Sequence, residues 1–274
     1  MRQFTIALML AAGVTWTMPA SGQTPPVFEP QFAQPGKDVV WVPTPEVMVE
    51  MMLDMASVTP DDVVVDLGSG DGRMVIAAAR RGARARGVEY NPEMVKLSRE
   101  RAYAAGVQDR ATFVEGDMFT ADISDATVMA LFLLTENMRR LQPAFLNLRP
   151  GTRIVSNTFP IPEWPPDERR TRPDCTAWCT ALLWIVPAQV GGEWVLEDGT
   201  RLELDQHFQK VSGILTGPVG GTGIQGGTLK GAEFTFAVGD QSYTARVEGP
   251  LMVGTRTVNG RPAPWRATRA SAAP

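Results

Sequence analysis

The sequence contains little histidine, and neither basic nor acidic residues predominate. It has one histidine, His207, among 274 residues, and its 26 basic residues stand against 30 acidic ones. One histidine cannot build a multi-histidine metal centre, and it would have to serve any Ser-His-Asp or Cys-His mechanism alone. No basic stripe is present that could follow a nucleic-acid backbone. We therefore expect no metal site, no histidine-based nucleophile and no nucleic-acid partner.

Cysteine is also scarce, because Cys175 and Cys179 are the two cysteines of the chain. In an extended strand, a separation of four residues is too long for a disulfide, so a bond would need a turn at Thr176 and Ala177. We favour two free thiols, with the disulfide as the alternative that an oxidising compartment would permit.

Long apolar runs are absent except near the N-terminus. Arg2 precedes an apolar stretch over residues 4–16, and the small residues Ala20-Ser21-Gly22 follow. This order is typical of a secretory signal peptide, since about 18 to 20 apolar residues would be needed to span a bilayer. We predict a signal peptide over 1–22, a Pro-rich linker over 23–37, export to the bacterial periplasm and no membrane span after cleavage.

From residue 38 onward, apolar strands alternate with amphipathic helices. Thr44 is placed to cap the first helix, with Pro45 at its first position. The unbroken apolar run over residues 63–67 is typical of a central parallel strand that is covered on both faces. Alternation of this kind predicts a doubly wound, mostly parallel α/β sheet. The predicted elements are strands over 85–90, 111–114, 127–134 and 153–158, and helices over 73–81, 92–105 and 136–148.

The last third of the chain contains short alternating segments separated by Gly-rich turns. This pattern predicts a small antiparallel β-domain over 193–274, as a sheet or a partial barrel. Residues 178–186 and 194–196 resemble an antiparallel hairpin that closes one edge of the first sheet. We therefore divide the mature chain into a cofactor-binding domain over 38–192 and this β-rich domain.

The strongest chemical signal is Asp66-Leu67-Gly68-Ser69-Gly70-Asp71-Gly72, which follows the apolar strand. Glycines after a buried strand let the backbone approach a ligand at the carboxyl edge of the sheet. The third glycine of a dinucleotide fingerprint is replaced by Arg73, and no Gly-Lys-Ser/Thr of a P-loop occurs. Acidic residues would repel a pyrophosphate but favour a cationic ligand that carries an amino group. S-adenosylmethionine, a sulfonium with an α-amino group and a ribose, fits this description.

Two further acidic residues follow the next strands. Glu89 ends the second strand, where a carboxylate can accept both ribose hydroxyls. Asp117, after the third strand, can accept from an adenine amino group, and Met118 can pack on the ring. Any one of these acids could be a helix cap or a solvated turn residue, but acids at three successive strand ends favour a ligand site.

Residues 39–184 resemble the class I S-adenosylmethionine-dependent methyltransferases. Within that class they are similar to the archaeal protein lysine methyltransferases and the mitochondrial ATP-synthase c-subunit lysine methyltransferase. The motifs are Val42-Pro43-Thr44-Pro45, the glycine-rich motif with Arg73, Gly87-Val88-Glu89-Tyr90-Asn91-Pro92 and Phe159-Pro160-Ile161-Pro162-Glu163-Trp164. The resemblance implies a seven-stranded Rossmann-like sheet. It implies cofactor contacts at Asp66, Gly68, Gly70, Glu89 and Asp117, with Thr44 at the pocket edge and Ser69, Asp71 and Tyr90 as candidates in the same motifs.

The resemblance implies methyl transfer to an amine, on a protein lysine or a small molecule, by in-line displacement. Candidates for helping the acceptor are Glu136, after the fourth strand, and Asn157, near the end of the fifth; a structural role as a cap or sheet-edge residue fits each better. No Asn-Pro-Pro-Tyr motif follows the fourth strand, which disfavours adenine and glutamine methylation. An exported, non-catalytic module that keeps a nucleoside pocket is the alternative. The sequence carries no signal for an oligomeric state.

Overall fold

A computed structural model describes residues 28–270, which form two units, each built on its own sheet. The predicted signal peptide lies outside the described residues. In the first unit, seven strands have the order β3-β2-β1-β4-β5-β7-β6. Its strands are β1 (Val63–Leu67), β2 (Arg84–Glu89), β3 (Ala111–Glu115), β4 (Val128–Leu131), β5 (Arg153–Asn157), β6 (Glu168–Thr171) and β7 (Thr180–Ile185). Its helices are α1 (Glu46–Met55), α2 (Arg73–Arg80), α3 (Pro92–Ala104) and α4 (Thr135–Leu146).

The central strand β1 is buried along its whole length, as its apolar run predicts. Alternate side chains point to opposite faces of the sheet. Val64 packs in the cluster with α1, α2 and α3. Val65 and Leu67 pack on the other face with α4 and Trp164. Helices therefore cover both faces, and the strand order reverses between β1 and β4, which is where open α/β sheets bind ligands.

The antiparallel edge of this sheet differs from the prediction. Strand β7 pairs antiparallel with β5 and with β6, so β6 and β7 form the closing hairpin. The predicted second partner, residues 194–196, belongs to the other sheet, and this part of the prediction was wrong. Alternating apolar residues in a short strand do not reveal which sheet the strand joins.

The start of α1 also differs from the prediction. The helix begins at Glu46 with Pro45 as its N-cap, and no side chain among residues 28–270 caps it. Thr44 is therefore not the cap, and its carbonyl accepts a hydrogen bond from Arg73 Nη1 at 2.9 Å. The cap predicted for α3 is confirmed, since Asn91 accepts from the backbone N–H of Glu93 at 3.0 Å.

Cys175 and Cys179 form a disulfide, with their Cα atoms 5.5 Å apart, so the prediction of free thiols was wrong. The chain bends over residues 176–178 between β6 and β7 and is not extended there. This bend is the turn that the alternative required, and it shortens the distance that the bond must span.

The second unit is a closed eight-stranded antiparallel barrel, which is more than the small sheet or partial barrel predicted. The ring runs β10-β12-β13-β14-β15-β16-β8-β9 and closes through pairing of β10 with β9, while β11 pairs with β10 outside the ring. Large side chains such as Trp194, Phe234 and Tyr243 are buried in it. Its strands are β8 (Gly192–Leu196), β9 (Arg201–His207), β10 (Lys210–Gly217), β11 (Gly220–Gly223), β12 (Gln225–Lys230), β13 (Glu233–Val238), β14 (Gln241–Glu248), β15 (Leu251–Val258) and β16 (Arg261–Arg269).

The two units touch through an aromatic pair and a hydrogen bond from a side chain to a backbone carbonyl. The rings of Trp164 and Phe208 stack with centroids 5.4 Å apart, and Gln209 Nε2 donates to the Pro165 carbonyl at 2.8 Å. The first sheet ends at Ile185 and the barrel begins at Gly192. Within residues 28–270, none of the helices is long and apolar enough to span a bilayer.

Candidate cofactor and methyl-transfer site

A cavity that is open to solvent lies at the carboxyl ends of the parallel strands. This edge of an open α/β sheet is where ligands bind. One wall comes from residues 34–42, which precede α1, and the others come from the loops after β1, β2, β3 and β4. Its lining includes Gly68, Glu89, Tyr90, Asp117 and Met118, five of the predicted cofactor residues.

The glycine-rich loop after β1 folds tightly against β2. The backbone N–H groups of Gly68 and Ser69 both donate to the Val88 carbonyl, at 2.8 and 3.1 Å. Gly70 has φ +53°, and a Cβ at that position would lie 2.7 Å from Trp41 Nε1. The motif therefore needs glycine at this position for its backbone conformation and for the close approach of the Trp41 indole.

Glu89 joins two loops at the edge of the cavity. Its Oε2 accepts from the Gly70 N–H and its Oε1 from the Asn91 N–H, both at 2.9 Å. Each carboxylate oxygen keeps acceptor capacity after one bond. Glu89 can therefore accept hydrogen bonds from the hydroxyl groups of a ligand while the two backbone N–H groups fix its orientation.

Asp117 is the second carboxylate of the cavity. Its Oδ1 accepts from the Phe119 N–H at 2.9 Å, and its Oδ2 accepts from Lys37 Nζ at 2.5 Å. Lys37 also lies 4.8 Å from the centroid of the Tyr90 ring. The lysine hydrogen bond and the Phe119 N–H hold the pKa of Asp117 below its ordinary value, so this carboxylate is ionised at neutral pH.

Asp66, at the end of β1, and Ser69, in the loop itself, do not line the cavity. Asp66 is buried, and its burial, followed by the charges of Glu89 and Asp71, raises its pKa well above the ordinary value. The Ser69 hydroxyl is buried and has no hydrogen-bond partner among the described residues. A direct cofactor contact remains a prediction for both residues.

Asp71 serves as an anchor for two arginines. Arg73 Nη2 lies 2.7 Å from its Oδ2 and Arg73 Nε 3.0 Å from its Oδ1, and Arg101 also donates to it. Burial would raise the pKa of Asp71, but the two guanidinium groups outweigh this effect and hold it below its ordinary value. The side chain lies outside the lining of the cavity, as does the predicted edge residue Thr44.

The two candidate catalytic residues occupy different environments. Glu136 lies in the first turn of α4, is 70% exposed and pairs with Arg139 at 3.2 Å. Asn157 ends β5 and is fully buried, and its Nδ2 has no hydrogen-bond partner among the described residues. The structure does not bring either into the lining of the cavity.

Sequence reasoning missed the wall formed by residues 34–42 and also missed Phe132, which follows β4. Lys37 was assigned to a linker because its neighbourhood is rich in proline. Trp41, directly before Val42-Pro43-Thr44-Pro45, was the available signal for this wall. A tryptophan side chain buries a large apolar area, which indicates a packing contact in this segment.

The cavity suits S-adenosylmethionine. Two carboxylates at adjacent strand ends can accept from ribose and adenine, and the glycine-rich backbone leaves room for a ligand. The sulfonium and ammonium charges of the ligand would also meet a predominantly acidic wall. This site, on a seven-stranded sheet with an antiparallel β7, is that of a Rossmann-like methyltransferase.

Comparison with known proteins agrees. The family described as ANTKMT methyltransferase domain matches residues 66–168. A protein-lysine N-methyltransferase of Saccharolobus islandicus is 46% identical over 151 residues, which cover 54% of this chain and 94% of that protein. The Mus musculus lysine N-methyltransferase that is named for the c-subunit of ATP synthase is 39% identical over 42% of this chain but only 47% of its own length.

A crystal structure described as an RNA methyltransferase from Salinibacter ruber, in complex with S-adenosyl-L-homocysteine, is 45% identical. The match covers 54% of this chain and 96% of the Salinibacter chain, with a TM-score of 0.52. The chain belongs to the class I S-adenosylmethionine-dependent methyltransferases, within the group that contains the Saccharolobus enzyme. It is a methyltransferase, and S-adenosylmethionine is its methyl donor.

Proposed function

We propose that this enzyme methylates the side-chain amine of lysine in a protein, outside the cytoplasm. The choice of protein lysine as the acceptor rests on the 46% identity with a protein-lysine N-methyltransferase over nearly all of that protein's length. The mouse relative, named for the same chemistry, supports it. Because these relatives are named as enzymes, a non-catalytic nucleoside-binding module is the weaker hypothesis.

S-adenosylmethionine would supply an electrophilic methyl group: the N–C bond to the acceptor amine would form in line with the breaking S–C bond, neutral S-adenosylhomocysteine would leave, and the methylated amine would carry the positive charge. The chain's own work is to hold and align the two reactants and to exclude water. Glu89 and Asp117 would hold the nucleoside, and Trp41 covers the glycine-rich loop at Gly70.

The acceptor lysine must be neutral to attack, although the free side chain has a pKa of about 10.4. Burial against apolar groups disfavours the charged form of an amine and lowers its pKa. Met118 and Phe132 supply apolar lining, and no histidine lies there among the described residues. We infer that desolvation at this wall, and not a histidine base, prepares the amine.

RNA is the competing acceptor, because the Salinibacter structure is described as an RNA methyltransferase. The net charge of −4 and the absence of a basic stripe in the sequence favour a protein acceptor over a polyanion. The assay for methyl transfer includes RNA for this reason.

We propose export because the N-terminal residues have the order of a signal peptide and because Cys175 and Cys179 are bonded. Disulfides persist in oxidising compartments such as the periplasm and are rare in reducing ones. Fractionation of cells, with thiol labelling of the protein before and after reduction, tests this proposal. Recovery of the protein in the cytosolic fraction with two free thiols would contradict it.

Methyl transfer is tested by incubating the purified protein with S-adenosylmethionine carrying a labelled methyl group and, separately, with periplasmic proteins, membrane proteins and total RNA. We expect label in protein that is recovered as methyllysine after acid hydrolysis. Glu89→Ala is the matched control and should lose both S-adenosylhomocysteine binding and transfer. Label found in RNA alone would overturn the lysine proposal, and cofactor binding without any transfer would favour the binding module.

A further inference from the structure

Four aromatic rings gather beside the cofactor cavity. Phe132 contacts Phe159, with ring centroids 5.9 Å apart, and meets Trp178 edge-on at the same distance. Phe32, which is 63% exposed, lies 6.3 Å from Trp178. We refer to Phe32, Phe132, Phe159 and Trp178 as the aromatic cluster.

The cluster is continuous with the cavity. Phe132 directly follows β4 and belongs to the lining, and Phe159 lies two residues beyond the end of β5. The carboxyl ends of β4 and β5 lie on the far side of β1 from Glu89 and Asp117, which would hold the nucleoside. An acceptor that enters over β4 and β5 would therefore pass the aromatic cluster before it reaches the methyl donor.

Trp178 reaches this position from a short closed loop over residues 172–179. The disulfide between Cys175 and Cys179 closes the loop, and the Arg172 N–H donates to the Cys179 carbonyl at 2.8 Å. Trp178 has φ +54°, an unfavourable backbone conformation for a bulky side chain. Such strain persists where the surrounding structure imposes it, and it is found most often at functional sites. The loop thus holds Trp178 on Phe132 at a conformational cost.

Among residues 28–270, no cationic side chain lies over the rings of the aromatic cluster. The cation–ring contacts of residues 28–270 involve Lys37 with Tyr90, Arg140 with Phe119 and Arg269 with Trp194, and none involves the cluster. Aromatic faces attract ammonium groups, tryptophan most strongly. Their apolar area also suits the aliphatic stem of a lysine side chain.

We propose that the aromatic cluster is the acceptor subsite: its rings receive the ammonium group of the lysine as it enters and then hold the aliphatic stem, while the amine loses its proton to solvent and reaches the methyl donor neutral. The disulfide-closed loop positions Trp178 as one wall of this subsite. The inference rests on the proposed function, because it assigns the acceptor class of that function to a particular set of side chains.

The first test replaces Trp178, which forms one wall of the proposed subsite. In Trp178→Ala we expect the KM for a lysine peptide that the wild type methylates to rise about tenfold, because cation–π and apolar contacts are lost. The affinity for S-adenosylhomocysteine, measured by calorimetry, should stay unchanged. Trp178→Phe should restore most of the loss, and Tyr103→Ala, which truncates a 75% exposed ring on α3, should behave as the wild type.

The second test uses reduction, because the chain has two cysteines and both are in this disulfide. Dithiothreitol breaks the Sγ–Sγ bond, each sulfur gains a hydrogen, and the reagent is oxidised to its cyclic disulfide. Reduction of the wild type should raise the acceptor KM as Trp178→Ala does. Reduction of Trp178→Ala itself should add little, because the loop then has no ring to position.

A binding test separates this proposal from the proposed function. The probe is N-acetyl-Nε-trimethyllysine methylamide, which cannot accept a methyl group, titrated in the presence of S-adenosylhomocysteine. We expect binding that Trp178→Ala weakens and Tyr103→Ala does not. If the wild type binds the probe in this way but methylates no lysine, the subsite stands and the proposed function fails. If it methylates lysine while Trp178→Ala changes neither KM nor probe binding, the subsite is wrong. Absence of probe binding to the wild type would also overturn it.

Discussion

The substitution Asp71→Asn tests whether the second aspartate of the glycine-rich motif stabilises the fold or binds the cofactor. Asn has nearly the same shape but cannot neutralise Arg73 and Arg101, which both contact the carboxylate. Removing one member of a buried ion pair costs about 3 to 5 kcal/mol. The side chains of Arg73 and Arg101 are 23% and 44% exposed, so water can replace part of the loss. We expect the free energy of unfolding to fall by about 2 to 3 kcal/mol.

The assay is urea unfolding followed by the far-ultraviolet circular dichroism of the helices. The four helices of residues 28–270 all lie in the methyltransferase unit, so this signal reports that unit and not the barrel. The matched control is Asp125→Asn, which removes an equally short contact to Arg86 from a carboxylate that is 51% exposed. We expect the control to cost less than about 1 kcal/mol.

For Asp71→Asn we also expect a pH dependence of the stability difference from the wild type, and one outcome would refute the structural role of Asp71. Because the pKa of Asp71 is lowered by folding, its stabilisation is present above the ordinary carboxyl range and is lost as the pH falls through the lowered pKa. The difference between wild type and Asp71→Asn should therefore shrink in acid. S-adenosylhomocysteine affinity should change less than about tenfold, because Asp71 does not line the cavity. Unchanged stability with a larger loss of affinity would refute the structural role.

The parts of the site that the sequence predicts are those that local pattern determines. An apolar run followed by glycines identifies β1 and its loop, and the strand–helix alternation then brings Glu89 and Asp117 to one edge. Five predicted cofactor residues line the cavity for this reason. Asp71 and Thr44 belong to the same motifs but lie outside the lining of the cavity and contact Arg73, Asp71 through its carboxylate and Thr44 through its carbonyl. Sequence spacing does not reveal such contacts.

The features that sequence analysis missed are not marked by a local periodicity. Lys37 contacts Asp117 across 80 positions, and no periodicity links them. The barrel closes where β9 pairs with β10, but several residues of β10 to β12 are glycines, which weaken the alternating pattern that marks a strand. The disulfide was missed because an extended conformation was assumed where the chain bends over residues 176–178.

Three further predictions concern the cofactor. Glu89→Gln should weaken S-adenosylhomocysteine binding about tenfold to hundredfold in calorimetry, because a charged acceptor that also holds the Gly70 N–H is lost; wild-type affinity would exclude the assigned role. Lys37→Ala should strengthen binding a few-fold at low salt, since Lys37 competes with the adenine amino group for Asp117; weaker binding would mean that the lysine contributes to the site. The raised pKa of Asp66, caused first by burial and then by neighbouring carboxylates, predicts a pH dependence. The ligand-free protein should lose stability as the pH rises through that pKa, because the folded state holds a proton that the unfolded state has released. Binding of the cationic cofactor should strengthen over the same range, because the ionised carboxylate attracts it, and Asp66→Asn should flatten both profiles. A variant that kept the wild-type pH profiles of unfolding and binding would show that another group titrates.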